Sequence, residues 1–139
     1  MTDQTQNHRQ IVEHIKYGKG MKTICVSTCL SYLGINANQY TYTTSSRNMK
    51  AYENVLRKFG YAVRSRATEF KVRKYYSTMT ALKQAIRRSK YGEADMFLVH
   101  GVQRKSAHLM IINGNGEMVI DTAPKMKWKI FSVKQVFKN

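Results

Sequence analysis

The chain is poor in acidic residues, cysteine and proline. Eight Asp and Glu side chains stand against 24 Lys and Arg among 139 residues, a net charge of +16, and there are two cysteines and one proline. Two cysteines exclude a disulfide-rich extracellular scaffold. No run of about 18 apolar residues could span a membrane, and the N-terminus lacks a secretory signal pattern. These absences predict one soluble cytoplasmic domain over residues 1–139, without membrane insertion.

The two cysteines, Cys25 and Cys29, are four residues apart. On one helix they would share a face but would be poorly placed to form a disulfide. If Thr23 caps a helix that runs to Leu33 and ends at Gly34, Cys25 lies in the first turn, where unpaired N–H groups and the helix dipole favour a thiolate. Cys29 then lies one turn deeper and packs. The alternative is that Cys25 is also a small buried side chain.

A hairpin signal near the C-terminus brings an imidazole and a carboxylate together. The turn sequence 113–116 (Asn-Gly-Asn-Gly) separates strand-like segments at 107–113 and 117–122. A two- or four-residue loop pairs residues whose numbers sum to 229, which places His108 directly opposite Asp121 with Cβ atoms about 5 Å apart. A three-residue bulged loop would turn the two side chains to opposite faces. An ordinary surface ion pair is the alternative interpretation.

Cys25, His108 and Asp121 together are the residue types of a thiol site. A carboxylate holds an imidazole in one orientation, and the imidazole activates a cysteine whose sulfur lies within about 4 Å of it. Cys25, Cys29, His100 and His108 do not have a common zinc-ligand spacing. A glycine-rich phosphate loop is also absent. The sequence therefore predicts these three catalytic residues, with no metal and no cofactor.

Helices precede strands in the predicted order. The patterns predict helices over 10–17, 23–33 and 47–59, and a further helix that begins at Thr78 or Thr80 and runs to about residue 90. They predict strands over 61–64, 95–102, 107–113, 117–122 and 127–133, with a strand-like stretch at 69–76 and a helical turn near 133–137. Segregated elements of this kind predict an α+β fold in which N-terminal helices pack on a C-terminal antiparallel sheet.

The positive charge is concentrated between Arg57 and Lys90, where Glu69 is the only acid. Such a field attracts nucleic acid or an acidic protein. Cations that alternate with aromatic residues are typical of surfaces that stack bases, although charge can also protect an edge strand. The residues expected to bind a polyanion are Arg64, Arg66, Lys71, Arg73, Lys74, Lys83, Arg87 and Arg88. A second cluster, Lys125, Lys127, Lys129 and Lys134, follows Asp121.

Three short motifs resemble the papain-like cysteine peptidases in their compact form, such as bacteriocin-processing and cell-wall amidase types, and small bacteriophage proteins of this kind. The motifs are residues 23–30 (TICVSTCL), 106–112 (SAHLMII) and 118–122 (MVIDT), within a resemblance that covers about 23–133. It implies a papain-like core with Cys25 as nucleophile, His108 as general base and then acid, and Asp121 as orienter. Such enzymes often carry a Gln or Asn shortly before the nucleophile, which residues 17–23 lack.

These observations favour a thiol hydrolase that cleaves an amide or isopeptide bond and whose basic surface selects an acidic substrate or partner. One alternative is a catalytically inactive papain-like basic protein that binds nucleic acid or a host factor. Another is an acyl-transferring or deamidating enzyme with the same three residues. The expected location is the cytoplasm, which for a phage-encoded protein means the host cytoplasm or the virion.

Overall fold

The computed structural model describes residues 24–35, 49–73, 77–103 and 106–138. This part of the chain has an α+β fold with a six-stranded antiparallel sheet. Its helices are α1 (Ile24–Tyr32), α2 (Met49–Lys58) and α3 (Met79–Arg88), and its strands are β1 (Tyr61–Ser65), β2 (Ser77–Thr78), β3 (Met96–Gln103), β4 (Ser106–Asn113), β5 (Met118–Ile120) and β6 (Lys129–Lys138). None of the helices in these ranges is long and apolar enough to cross a membrane. The helix predicted over 10–17 lies outside the described residues.

The strands follow the order β1, β6, β3, β4, β5, and β2 also pairs with β6. One edge of β6 pairs with β2 near Ile130 and with β1 from Lys134 to Lys138, and its other edge pairs with β3. The helical turn predicted near 133–137 is therefore wrong. Backbone groups in that stretch are held in ladders on both sides, which extends the strand.

The sheet carries a hydrophobic core on each face, because alternate residues of its central strands are apolar on both sides. The α1-side core contains Cys25, Cys29, Leu30, Leu33, Ile35, Val55, Leu56, Leu98, Leu109, Ile111, Ile120 and Val136. The α3-side core contains Phe70, Leu82, Ile86, Phe97, Val99, Met110, Ile112, Ile130 and Val133.

The predicted order of helices followed by strands is only partly right, since α3 follows β1 and β2 in the chain.

Residues 69–76 were predicted to be strand-like, and this is wrong for the part that is described. Residues 67–71 form turns, in which the Phe70 N–H donates to the Arg66 carbonyl at 3.0 Å and the Val72 N–H donates to the Ala67 carbonyl at 2.8 Å. Phe70 is buried, and its ring meets that of Phe97 edge to face at 5.4 Å. Burial of this aromatic side chain outweighs the local alternating pattern.

Two polar contacts position the helices. Of the two predicted starts of α3, Thr78 and Thr80, the structure has Thr78, and its side-chain oxygen accepts the Ala81 N–H at 3.1 Å. Glu53 of α2 is buried and pairs with Lys134 of β6, while Arg57 lies 4.0 Å away on the next helical turn. The ion pair ties α2 to the sheet, because a buried carboxylate without a partner would be costly.

Candidate active site

Cys25 is the second residue of α1, and its thiol is free. The helix occupies nearly the predicted range, so this side chain lies in the first turn, near the unpaired N–H groups and the positive end of the dipole. Cys25 is buried, with 6% of its surface exposed, and belongs to the α1-side core. The site is therefore enclosed, and the helix dipole acts on a thiol that has little water around it.

Cys29 lies one turn deeper and is fully buried. Its thiol donates to the Leu109 carbonyl with an Sγ–O distance of 3.6 Å. Burial raises the pKa of Cys29 well above its ordinary value, and the negative charges of Cys25 and Asp121 raise it further. Cys29 consequently remains a neutral thiol that packs between α1 and β4, as the sequence predicted.

The turn between β4 and β5 has three residues, 114–116. The Gly116 N–H donates to the Asn113 carbonyl at 3.0 Å, and the Asn113 N–H donates to the Glu117 carbonyl at 3.0 Å. Gly116 has φ of +78°, the left-handed conformation that closes such a loop. Residues 113 and 117 thus oppose each other, so the predicted pairing of residues whose numbers sum to 229 is wrong.

A bulge in β5 then shifts the register a second time. Ile112 pairs with Met118, but Ile111 pairs with Ile120, which leaves Val119 as the extra residue. A single shift would turn Asp121 to the face of the hairpin opposite His108. Two shifts return Asp121 to the face that carries His108. Continuing this register places Asp121 diagonal to His108, rather than directly opposite it.

His108 and Asp121 nevertheless meet. The His108 Nε2 and Asp121 Oδ1 atoms are 2.7 Å apart, and the two side chains are 6% and 10% exposed. The same carboxylate oxygen accepts the Ala123 N–H at 2.9 Å. This backbone contact fixes the carboxylate, and the carboxylate in turn orients the imidazole.

Cys25 lies close enough to the His108 ring to raise the pKa of the imidazole. Burial lowers the pKa of His108, but its hydrogen bond with Asp121, the interaction with Cys25 and the negative charges of both residues raise it, with a net result of about 9. The imidazole is therefore a cation at neutral pH.

Trp128 lies against the His108 ring, with ring centroids 4.8 Å apart and an angle of 18° between the planes. Gly101, which pairs with His108 across β3 and β4, leaves room for this indole. A Cβ at Gly101 would lie 2.7 Å from the Trp128 Cβ. Gly101 is not among the residues predicted from the sequence, although an isolated glycine inside an apolar strand is a signal for close approach of another group.

The predicted polyanion residues do not form one cluster. Arg64 and Arg66 lie at the β1 edge of the sheet, where each guanidinium is 5.8 Å from the centre of the Phe137 ring. Arg87 lies at the other end, where its Nη2 donates to the Gly116 carbonyl at 3.4 Å. Lys71, Arg73 and Arg88 are exposed and Lys83 is half-buried, while Lys74 lies outside the described residues.

In the part of the chain that the structure describes, no group of three His, Cys, Asp or Glu side chains is placed to hold a metal ion. Comparisons with protein-family models, curated proteins and solved structures give no match for this chain. Any inference about its chemistry therefore depends on the geometry of its own residues.

Proposed function

We propose that the chain is a papain-like thiol hydrolase that cleaves an amide or isopeptide bond in an acidic substrate. The observation that carries this proposal is the convergence of three side chains: the Asp121 carboxylate lies 2.7 Å from the His108 ring, and Cys25 lies close enough to that ring to raise its pKa. These residues belong to α1, to β4 and to the segment after β5, so distant parts of the chain converge on one arrangement. An incidental surface ion pair would be exposed, whereas all three side chains are largely buried.

The geometry supports acyl transfer through a covalent intermediate. The Cys25 thiolate attacks the substrate carbonyl carbon, and the carbonyl oxygen takes the negative charge near the Cys25 backbone N–H. The carbon–nitrogen bond breaks as His108 gives its proton to the departing amine. Water then loses a proton to His108 and attacks the thioester, which releases the acid and regenerates the pair. Asp121 holds the imidazole in position throughout.

A catalytically inactive basic protein is the second candidate. Two observations favour it: the 6% exposure of Cys25 and the exposed cations on β1, on α3 and in the segment between β1 and β2. An acyl transferase or deamidase would share the first step of the hydrolase. It would differ in the acceptor of the acyl group or in the amide that is attacked.

The test measures the alkylation of Cys25 by iodoacetamide at several pH values and locates the label by mass spectrometry of peptides. A thiolate paired with His108 should react rapidly at pH 6, well below the ordinary thiol pKa of about 8.5. His108→Asn should slow the reaction at pH 6 at least tenfold. Ser89→Ala serves as a control substitution remote from the site.

A second readout uses p-nitrophenyl acetate as an acylating probe. The hydrolase should acquire one acetyl group on Cys25 and then lose it to water, and Cys25→Ser should not acquire a thioester. Equal alkylation rates in the wild type and His108→Asn would contradict the proposal. Rapid alkylation without turnover of the acetyl group would instead support the inactive protein.

A further inference from the structure

The edge of the sheet formed by β1 and β6 carries an aromatic ring beside two cations. Ala62 pairs with Phe137 and Arg64 pairs with Gln135, which places Arg64 and Phe137 on the same face of the sheet. Tyr61 and Val63, the alternate residues of β1, pack against the α1-side core. The ring and the two arginines therefore lie on the face opposite α1. We call Arg64, Arg66 and Phe137 the Phe137 platform.

The platform is accessible and only partly neutralised. Arg64 is exposed, Phe137 is half-buried, and no carboxylate among the described residues forms a salt bridge with Arg64. Arg66 donates from Nε to the Gln135 side chain at 2.8 Å and lies 3.7 Å from Glu69. Arg66 is thus held in place, while Arg64 projects an unpaired charge beside the ring.

Both guanidinium groups lie near the outer limit of a cation–π contact, which is about 6 Å from a ring centre. An aromatic ring beside guanidinium groups provides a stacking surface for a base, and the guanidinium groups provide donors for the flanking phosphates. The bases of a duplex are already stacked on one another, so this combination suits a single strand.

We infer that the Phe137 platform binds single-stranded nucleic acid, with a base against Phe137 or a guanidinium plane and phosphates on Arg64 and Arg66. The net charge of +16 supplies the long-range attraction. The inference goes beyond the proposed hydrolase and does not depend on it. For the second candidate, the catalytically inactive basic protein, it identifies single-stranded nucleic acid as the bound polyanion.

The position of the platform separates it from the other predicted cations. β1 and β5 are the two ends of the strand order, four spacings of about 4.8 Å apart, or roughly 19 Å. Arg87 contacts the turn that leads into β5. The platform and Arg87 consequently belong to different areas, and substitutions at the platform can be tested separately.

The experiment measures fluorescence anisotropy of a labelled thymidine oligonucleotide with the full-length Cys25→Ala chain, at several salt concentrations. Phe137→Leu keeps an apolar side chain but removes the stacking surface, so affinity should fall about tenfold with an unchanged salt dependence. Phe137→Trp should retain binding. Arg64→Gln with Arg66→Gln should weaken binding and reduce the salt slope by about 1.4, since each single-strand phosphate contact contributes about 0.7.

The charge-matched control is Lys125→Gln with Lys127→Gln, which removes two exposed cations from the segment between β5 and β6. It should weaken binding clearly less than the double arginine variant. Melting temperatures measured by circular dichroism establish that each variant is folded. The inference is overturned if Phe137→Leu binds like the parent, if the two double variants lose equal affinity, or if a duplex of the same length binds as tightly. Absence of oligonucleotide binding at low salt would also overturn it, and an acidic protein would then be the partner to test.

Discussion

Replacing Asp121 with Asn should lower the pKa of His108 and make Cys25 less reactive. Two neighbours, Asp121 and Cys25, raise the pKa of His108 from its ordinary value near 6.5 to about 9, while burial acts in the opposite direction. Asn at position 121 keeps an oxygen that can accept a hydrogen bond but removes the negative charge. Cys25 and a weaker hydrogen bond to the neutral amide oxygen would then oppose the effect of burial.

The expected change is at least one pH unit. Each unit corresponds to about 1.4 kcal/mol, so the net increase in the wild type represents about 3 kcal/mol in favour of the imidazolium. An adjacent opposite charge typically accounts for 1–3 units. The pKa of His108 in Asp121→Asn should therefore lie below about 8. Alkylation of Cys25 should slow most near pH 9, where a fall of one unit lowers the charged fraction of His108 about fivefold, whereas at pH 7 about nine tenths of the imidazole stays charged.

The same substitution should affect stability in a pH-dependent way. The folded-state pKa of His108 is higher than its unfolded value, so the charged pair contributes fully below about pH 6.5 and is lost as pH rises through about 9. Asp121→Asn should consequently reduce the free energy of unfolding more at pH 6 than at pH 9.5. Urea unfolding monitored by circular dichroism at the two pH values measures this difference.

The pKa itself is measured by NMR titration of the imidazole carbons, with the His108 signal assigned from its absence in His108→Gln. Asp95→Asn is a matched control, because this carboxylate contacts Gly92 and Gln135 rather than His108. A midpoint for His108 that stays near 9 in Asp121→Asn would refute the reasoning. So would a wild-type midpoint at or below 6.5, since burial would then outweigh both partners.

Two further substitutions test the surroundings of the site. Cys29→Ala should cost on the order of 1 kcal/mol in urea unfolding, because it removes a fully buried group, and Cys25→Ala should cost less; a larger loss for Cys25→Ala would contradict the assigned roles. Gly101→Ala should destabilise the chain by about 1–3 kcal/mol and change the tryptophan fluorescence, because the new Cβ would lie 2.7 Å from the Trp128 Cβ. Unchanged stability and fluorescence would show that the indole is not held at this distance.

Local sequence patterns were sufficient to predict most elements near the site. The helix around Cys25, the strand that begins near His108, the turn at 113–116 and the Thr78 cap are confirmed within a few residues. Each depends on contacts between residues close together in the chain, such as caps, turn residues and a short hydrophobic period. The α+β class followed from the order of these elements.

The register of the hairpin could not be predicted in the same way. Loop length and the bulge at Val119 each shift the pairing by one residue, and both depend on how β5 packs at the edge of the sheet. The predicted contact between His108 and Asp121 is present, but it results from two register shifts. The first turns Asp121 away from the face that carries His108, and the second turns it back. A correct contact was thus inferred from an incorrect register.

The remaining features were determined only by tertiary structure. The sequence places the cations from Arg64 to Arg88 in one segment, yet the strand order carries Arg64 and Arg87 to opposite ends of the sheet. Trp128 reaches His108 only because Gly101, from another strand, leaves space for the indole. The order of amino acids alone defines which side chains are present and the local elements that hold them. Their distances were decided by strand pairing and core packing, because contacts between residues far apart in the chain depend on the whole fold.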